Sequence, residues 1–304
     1  GDVYKRQVLG WKHRMRDFRP TLNQIEKMNL KNQTPEACLN TTVHHQLIHW
    51  DMASVKSKDK NLLREEPLSI RVEGNPYSVM MRTPGDEIPL AAGFCLTEGI
   101  IDTPEDYTSI AFCDGEDTNV IAVTLKPFRR HTIAVILDRR GFISQSSCGL
   151  CGKEIVKDLF QLIKPLEDDI QMDANQALSC LKTISRHQPL RCQTRSAHAA
   201  VLYNSKFDFL AAAEDVGRHN ALDKVIGKMF LDRKLGQAAM LTLSSRISYE
   251  LVQKAARARI PIILAISRPT ALAVKLASEL NITLASLADG PGLYVFCSEQ
   301  RLVA

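Results

Sequence analysis

Two cysteines three positions apart, Cys148 and Cys151, stand in the run Ser146-Ser147-Cys148-Gly149-Leu150-Cys151-Gly152-Lys153. The stretch after them, 154–163, has the spacing of an amphipathic helix, so the pair falls at a helix amino terminus. Unsatisfied N–H groups and the positive end of the helix dipole there favour thiolate over thiol, and Lys153 adds a cation. A thiolate between flanking glycines is an accessible sulfur nucleophile. Other chemistries use such a pair. Half of a structural zinc site needs two more thiolates or imidazoles, and Cys180 and Cys192, the nearest cysteines, have eleven residues between them, which is not a knuckle. A thioredoxin-like redox pair shares the Cys-Gly-x-Cys form before a helix but belongs after an early strand of a domain of about 100 residues. A zinc deaminase requires His-x-Glu upstream and Pro before the first cysteine. Here His131 is followed by Thr132 and Ile133, and Ser147 precedes Cys148, so that catalysis is excluded.

A second group of residues suits a polyanion. Glu214-Asp215-Val216-Gly217-Arg218-His219-Asn220 connects an expected strand to an expected helix. Asp215 or the backbone near Gly217 can cap that helix while Arg218 and His219 face a ligand at the strand's carboxyl end. Simple capping with an Arg218–Glu214 ion pair would use the same residues. Leu243-Ser244-Ser245-Arg246 repeats the placement after the next strand, with hydroxyls and a guanidinium fit for phosphate. Side by side, the two loops form a polar pocket.

These loops need elements to hold them. Leu68–Val72 alternates as a strand, Gly74-Asn75-Pro76 turns, and 77–82 is the hairpin partner. Asp86 can cap a helix carrying Leu90, Phe94 and Ile101. Short strands are expected near 108–112, 119–125 and 132–138. From Gly141 on, helices near 153–163, 174–185, 219–231, 247–258 and 270–280 alternate with strands at 197–203, 208–213, 238–243, 261–266, 282–287 and 293–296. That order predicts an α/β domain with helices on both faces of a sheet, over 141–304, preceded by a smaller strand-rich α+β subdomain over 63–140. Residues 1–62 lack sustained apolar periodicity and read as a basic, poorly ordered arm. Its opening GDVYKRQ reads as a flank foreign to the fold. No role is assigned to His44, His45 and His49 in that arm.

The 304 residues are 45% hydrophobic and 24% charged, an ordinary globular composition. Apolar runs such as 262–266 are far below the roughly 18 residues a bilayer span needs, which excludes membrane insertion. The net charge of +5 sits at one end. Eleven of 39 Lys and Arg against six of 34 Asp and Glu fall in the first 60 positions, leaving 28 of each. A neutral body argues against a nucleic-acid partner. Eight cysteines without a secretory-type apolar segment at the amino terminus point to a reducing, cytoplasmic compartment.

Taken together, these segments closely resemble the formate dehydrogenase accessory sulfurtransferase family (FdhD). The resemblance runs from about residue 65 onward. It includes Glu66-Pro67-Leu68, Met81-Arg82-Thr83-Pro84-Gly85-Asp86, Gly93-Phe94, 97–101, the Ser-Ser-Cys-Gly-Leu-Cys-Gly loop, 214–224, 248–254 and 269–274. It implies a cytidine-deaminase-like three-layer α/β/α domain without deaminase chemistry. It also implies a sulfurtransferase that takes sulfane sulfur from a cysteine desulfurase onto Cys148 or Cys151 and passes it to the molybdenum cofactor of formate dehydrogenase. The cargo would be a molybdopterin guanine dinucleotide, bound by His198, Arg218, His219, Asn220, Ser244, Ser245 and Arg246. The resemblance further implies a homodimer and no tightly bound metal. A cofactor-binding chaperone would use only the polar loops, and a thiol–disulfide redox protein only the cysteines. Where the family has Thr-Gly-Gly or Thr-Gly before the histidine, this chain has Thr194-Arg195-Ser196. Ser267-Arg268-Pro269-Thr270 departs from Ser-Ala-Pro-Thr, and an arginine expected near the last strand is missing around Gly292-Leu293.

Overall fold

The structure, a computed structural model, describes residues 41–52, 54–113, 119–139 and 163–304. Cys148, Cys151, the helix expected directly after them and the first 40 residues lie outside this set. Within the stretch expected to belong to a poorly ordered arm, Thr42–Trp50 (β1) and Val55–Leu63 (β2) pair antiparallel, from Thr42↔Leu63 to Trp50↔Val55. Ordered pairing is therefore present from Thr42, ahead of the boundary expected at residue 63. This ribbon has no buried apolar face to betray it. Backbone pairing and a side-chain turn close it, in which the Asp51 carboxylate accepts from the Ser54 N–H at 2.7 Å and the Ser54 hydroxyl at 3.1 Å.

The first large sheet has strand order β4-β3-β6-β5, built from Glu66–Val72 (β3), Asn75–Arg82 (β4), Tyr107–Phe112 (β5) and Val120–Leu125 (β6). Only the β3–β6 pair is parallel. Helix α1, Glu87–Thr97, follows β4. The strand expected at 132–138 is instead part of helix α2, Pro127–Arg139. Its run of β-branched residues suggests a strand. Pro127 presets the first helical turn, and Arg129 pins it by donating to the carbonyls of Ile100 and Gly99, both at 2.8 Å, and to Asp102 at 2.6 Å.

The second large sheet has six strands in the order β13-β12-β11-β10-β8-β9. They are His198–Tyr203 (β8), Phe209–Asp215 (β9), Met240–Leu243 (β10), Ile262–Ala265 (β11), Thr283–Leu287 (β12) and Leu293–Cys297 (β13). A two-residue parallel bridge joins Met172–Asp173 (β7) to Leu302–Val303 (β14). Strands β10, β11 and β12 run parallel, and β8 and β13 flank them antiparallel. The intervening helices are Ala174–Lys182 (α3), Pro189–Thr194 (α4), Arg218–Leu231 (α5), Tyr249–Arg257 (α6) and Ala271–Glu279 (α7).

Strand alternation sends side chains to two faces. Ala200, Leu202, Leu241, Leu243 and Ile263 pack with Val225, Val252 and Leu276 of α5, α6 and α7. Val201, Tyr203, Met240 and Ile262 pack with Ala177 and Leu181 of α3. Helices thus cover both faces, as the alternating pattern predicted. Leu68, Ile70, Ile121 and Val123 of the first sheet belong to the same apolar cluster as α5, through α1. There the helix backbones touch: a methyl group on Gly93 would lie 1.9 Å from the Asp223 carbonyl oxygen, and one on Gly227 would lie 1.8 Å from that of Pro89. Beside this contact the buried Asp223 carboxylate takes the Lys254 ammonium at 2.8 Å and the Thr97 hydroxyl at 2.9 Å. Asp86 makes no capping bond to α1; it stands in a left-handed conformation and its carboxylate pairs with Lys228 of α5 at 2.7 Å.

Candidate functional site

The second sheet brings the polar loops to one end. His198 opens β8 and is register partner of Asp215, which closes β9; Ala200 pairs with Leu243, the last residue of β10. The loops after β9, β10 and β11 and the start of β8 therefore meet at the carboxyl ends of the parallel strands, the usual ligand position in an α/β sheet.

Asp215 organises this end. It is fully buried, and its carboxylate takes four donors: the Gly217 N–H and Asn220 amide at 2.9 Å on one oxygen, the Thr83 N–H at 3.0 Å and the Lys224 ammonium at 2.8 Å on the other. Gly217, not Asp215, occupies the capping position of α5. Asn220 also donates to the Met81 carbonyl at 2.8 Å, so its amide holds the loop. The Ser244 hydroxyl accepts the Ala199 N–H at 2.8 Å, and the Ser244 N–H returns a bond to the Ala199 carbonyl at 3.0 Å. Ser245 is buried and donates to the Arg246 carbonyl at 3.0 Å. Asn220, Ser244 and Ser245 thereby build the frame, and His198, Arg218, His219 and the exposed Arg246 are the side chains set around it.

The sequence reading missed two contributors. Glu250, at the start of α6, lies 3.9 Å from His219 Nε2 and is held at about 2 chiefly by the His219 ring, with its own N–H and the Ser248 hydroxyl assisting. Arg191 of α4 donates to the Ala197 carbonyl at 3.2 Å and lies near enough to His198 to act on its charge. Burial, then Arg218, Arg191 and His219, push the His198 imidazole down, favouring its neutral form. The only sequence signal for α4 is Pro189 at a helix start. Glu214 does not pair with Arg218: its carboxylate accepts the N–H groups of Leu190 at 2.7 Å and Arg191 at 2.9 Å.

Arg195 takes a left-handed conformation, φ +59°, at the carboxyl end of α4. This explains why glycine suits that position: the helix cap demands it, rather than close approach of a ligand. Arg268, the other departure, pairs with Asp289 beyond β12 and lies over the Tyr294 ring.

Besides His219 Nε2 and Ser248 Oγ, which adjoin Glu250, two buried donor or acceptor atoms at this end, His198 Nδ1 and Arg218 Nε, have no hydrogen-bond partner among the described residues. Buried polar atoms normally have partners, and with guanidinium groups alongside, these two fit an oxygen-rich anion such as a nucleotide phosphate. Among the described residues no group of three or more His, Cys, Asp or Glu could hold a metal ion, and no helix is long and apolar enough to cross a membrane.

Fold and site together define a mixed α/β protein whose polar loops gather at the carboxyl end of a six-stranded sheet. The chain belongs to the FdhD/NarQ family, whose model matches residues 63–303. It is similar to the sulfur carrier proteins FdhD of Mycobacterium tuberculosis and Mycobacterium bovis, each 37% identical over 273 residues, covering 86% of this chain and 98% of the relative. The sulfur carrier protein FdhD of Streptomyces avermitilis is 34% identical over 271 residues, covering 86% of this chain and 95% of its own. A solved structure from Desulfotalea psychrophila, described as a formate dehydrogenase accessory protein, shares the fold with a TM-score of 0.69 at 24% identity. The match covers 86% of this chain and all of that one.

Proposed function

We propose that this protein is a cytoplasmic sulfurtransferase. It receives sulfane sulfur from a cysteine desulfurase on Cys148 or Cys151 and gives it to the molybdenum cofactor, a molybdopterin guanine dinucleotide, destined for formate dehydrogenase. A homodimer is part of the proposal, as is a cytidine-deaminase-like three-layer arrangement of the α/β domain. The names of its relatives support sulfur carriage. The observation that carries the choice of cargo is the pair of unpartnered buried atoms, His198 Nδ1 and Arg218 Nε, beside cationic side chains at the sheet end.

The transfer balances without an outside oxidant. One cysteine thiolate attacks the outer sulfur of the donor's persulfide; a new S–S bond forms as the donor cysteine leaves as thiolate. At delivery the second cysteine attacks the sulfur-bearing one. The 148–151 disulfide closes and sulfide departs, its two electrons supplied by the thiol pair, and a dithiol reductant later reopens the bridge. The guanidinium groups at this end hold the cargo's phosphates, and the His198 ring donates an N–H to a phosphate oxygen.

Incubation with a cysteine desulfurase and free cysteine, followed by peptide mass analysis, tests this. A reducible gain of about 32 Da on 148–151, lost in Cys148→Ala/Cys151→Ala, is expected. No gain from a charged donor would overturn sulfur carriage and leave a chaperone that holds the cofactor.

A further inference from the structure

The segment Met81-Arg82-Thr83-Pro84-Gly85-Asp86 begins at the end of β4 in the first sheet, far in sequence from the cleft. Yet its polar groups are spent on the cleft's central loop. All three polar groups of Thr83 go there. Its N–H donates to Asp215 Oδ2 at 3.0 Å, its hydroxyl accepts the Val216 N–H at 3.0 Å, and its carbonyl accepts the Lys224 ammonium at 2.8 Å. The Met81 carbonyl takes the Asn220 amide at 2.8 Å, and Asp86 pairs with Lys228 one turn further along α5. Thr83, like Asp215, is fully buried.

We propose that Thr83 is a positioning residue for the cleft: it braces the loop 215–220 from the neighbouring sheet in the one shape that presents Arg218 and His219 together. The inference rests on the anion-binding reading above and adds a residue that touches no ligand. Its logic is geometric. The loop leaves β9 and enters α5 within two residues, Val216 and Gly217, and the capping residue supplies no side chain of its own. Asp215 fixes the Gly217 N–H from within, but the Val216 N–H faces the other way, and Thr83 Oγ1 receives it. Without that acceptor a part-buried donor is left unsatisfied in the braced shape, so the loop spreads over other shapes. Ligand binding must then reselect the competent one, which weakens apparent affinity by the fraction lost.

Thr83→Val keeps the side-chain shape and both backbone bonds while removing the acceptor. The probe is guanosine diphosphate, the nucleotide half of the proposed cargo, titrated by calorimetry. We expect about tenfold weaker binding by Thr83→Val, faster amide exchange at Val216 and Gly217 in the free protein, and recovery of both in Thr83→Ser. Thr97→Val is the control, because it removes a buried hydroxyl that bonds Asp223 and Lys254, away from the loop; it should leave affinity unchanged. If Thr83→Val does not fold, Thr83→Ala carries the same expectation. Wild-type affinity in the Thr83 variants, or an equal loss in Thr97→Val, overturns the brace alone. Failure of the wild-type protein to bind the probe overturns the nucleotide reading, and the brace with it.

Discussion

Glu214 and Asp215 are adjacent on β9 and therefore face opposite sides of the strand. Asp215 is met by four donors; Glu214 has two backbone N–H groups, and burial still pushes its carboxyl up to about 7. The folded protein thus holds this proton more tightly than the unfolded chain, where the group titrates near 4.5. The associated stability is fully present below about pH 4.5 and is lost as pH rises through about 7. Denaturant midpoints at pH 4.5 and pH 7 should show wild type losing more stability across that interval than Glu214→Gln. Equal losses would mean that Glu214 is not the group responsible. At this scale the sequence displayed the right residue types and little of their partnerships. The spacing of 214–220 marked a polar strand-to-helix loop, and His198, Arg218 and His219 do converge. One partner of each of Asp215 and Asn220, Thr83 and Met81 respectively, lies more than 130 positions away, and no local pattern encodes that.

Helices α1 and α5 approach as closely as backbones allow because glycine stands on both sides of the contact. Gly93→Ala should destabilise the fold by roughly 1–3 kcal/mol or more, since the added methyl meets backbone that cannot rotate away. Urea denaturation reads this directly, and a loss under about 0.5 kcal/mol would show that the helices can slide apart. Most of the elements were legible, and those of the second sheet were nearly complete, because buried strands bounded by capped helices carry strong periodic signals. Two were not. In α2 a β-branched run outweighed the proline that starts the helix, and tertiary bonds from Arg129 decide the outcome. In the β1–β2 ribbon alternating lysines and histidines show no apolar face, so only pairing across the turn reveals the strands.

One apolar cluster runs from Leu68 in the first sheet through α1 and α5 to Leu284 in the second. A shared core predicts shared unfolding. Calorimetry should give one main transition with van't Hoff and calorimetric enthalpies in agreement; two resolved transitions would mean that the sheets melt independently. The emission of Trp50 should report little of it, because that ring is already 78% exposed on the ribbon.

The chain visits the cleft end of the second sheet repeatedly, before β8 and after β9, β10, β11 and β12, and each visit is rooted in its own strand. Arg195-Ser196 and Ser267-Arg268 change two of those visits while the Asp215 hub stays intact. Such a layout separates inheritance of the scaffold from inheritance of the loops it carries. Descendants of this fold can retune the rim of the cleft one visit at a time, each step leaving the other walls and the shared core as they were.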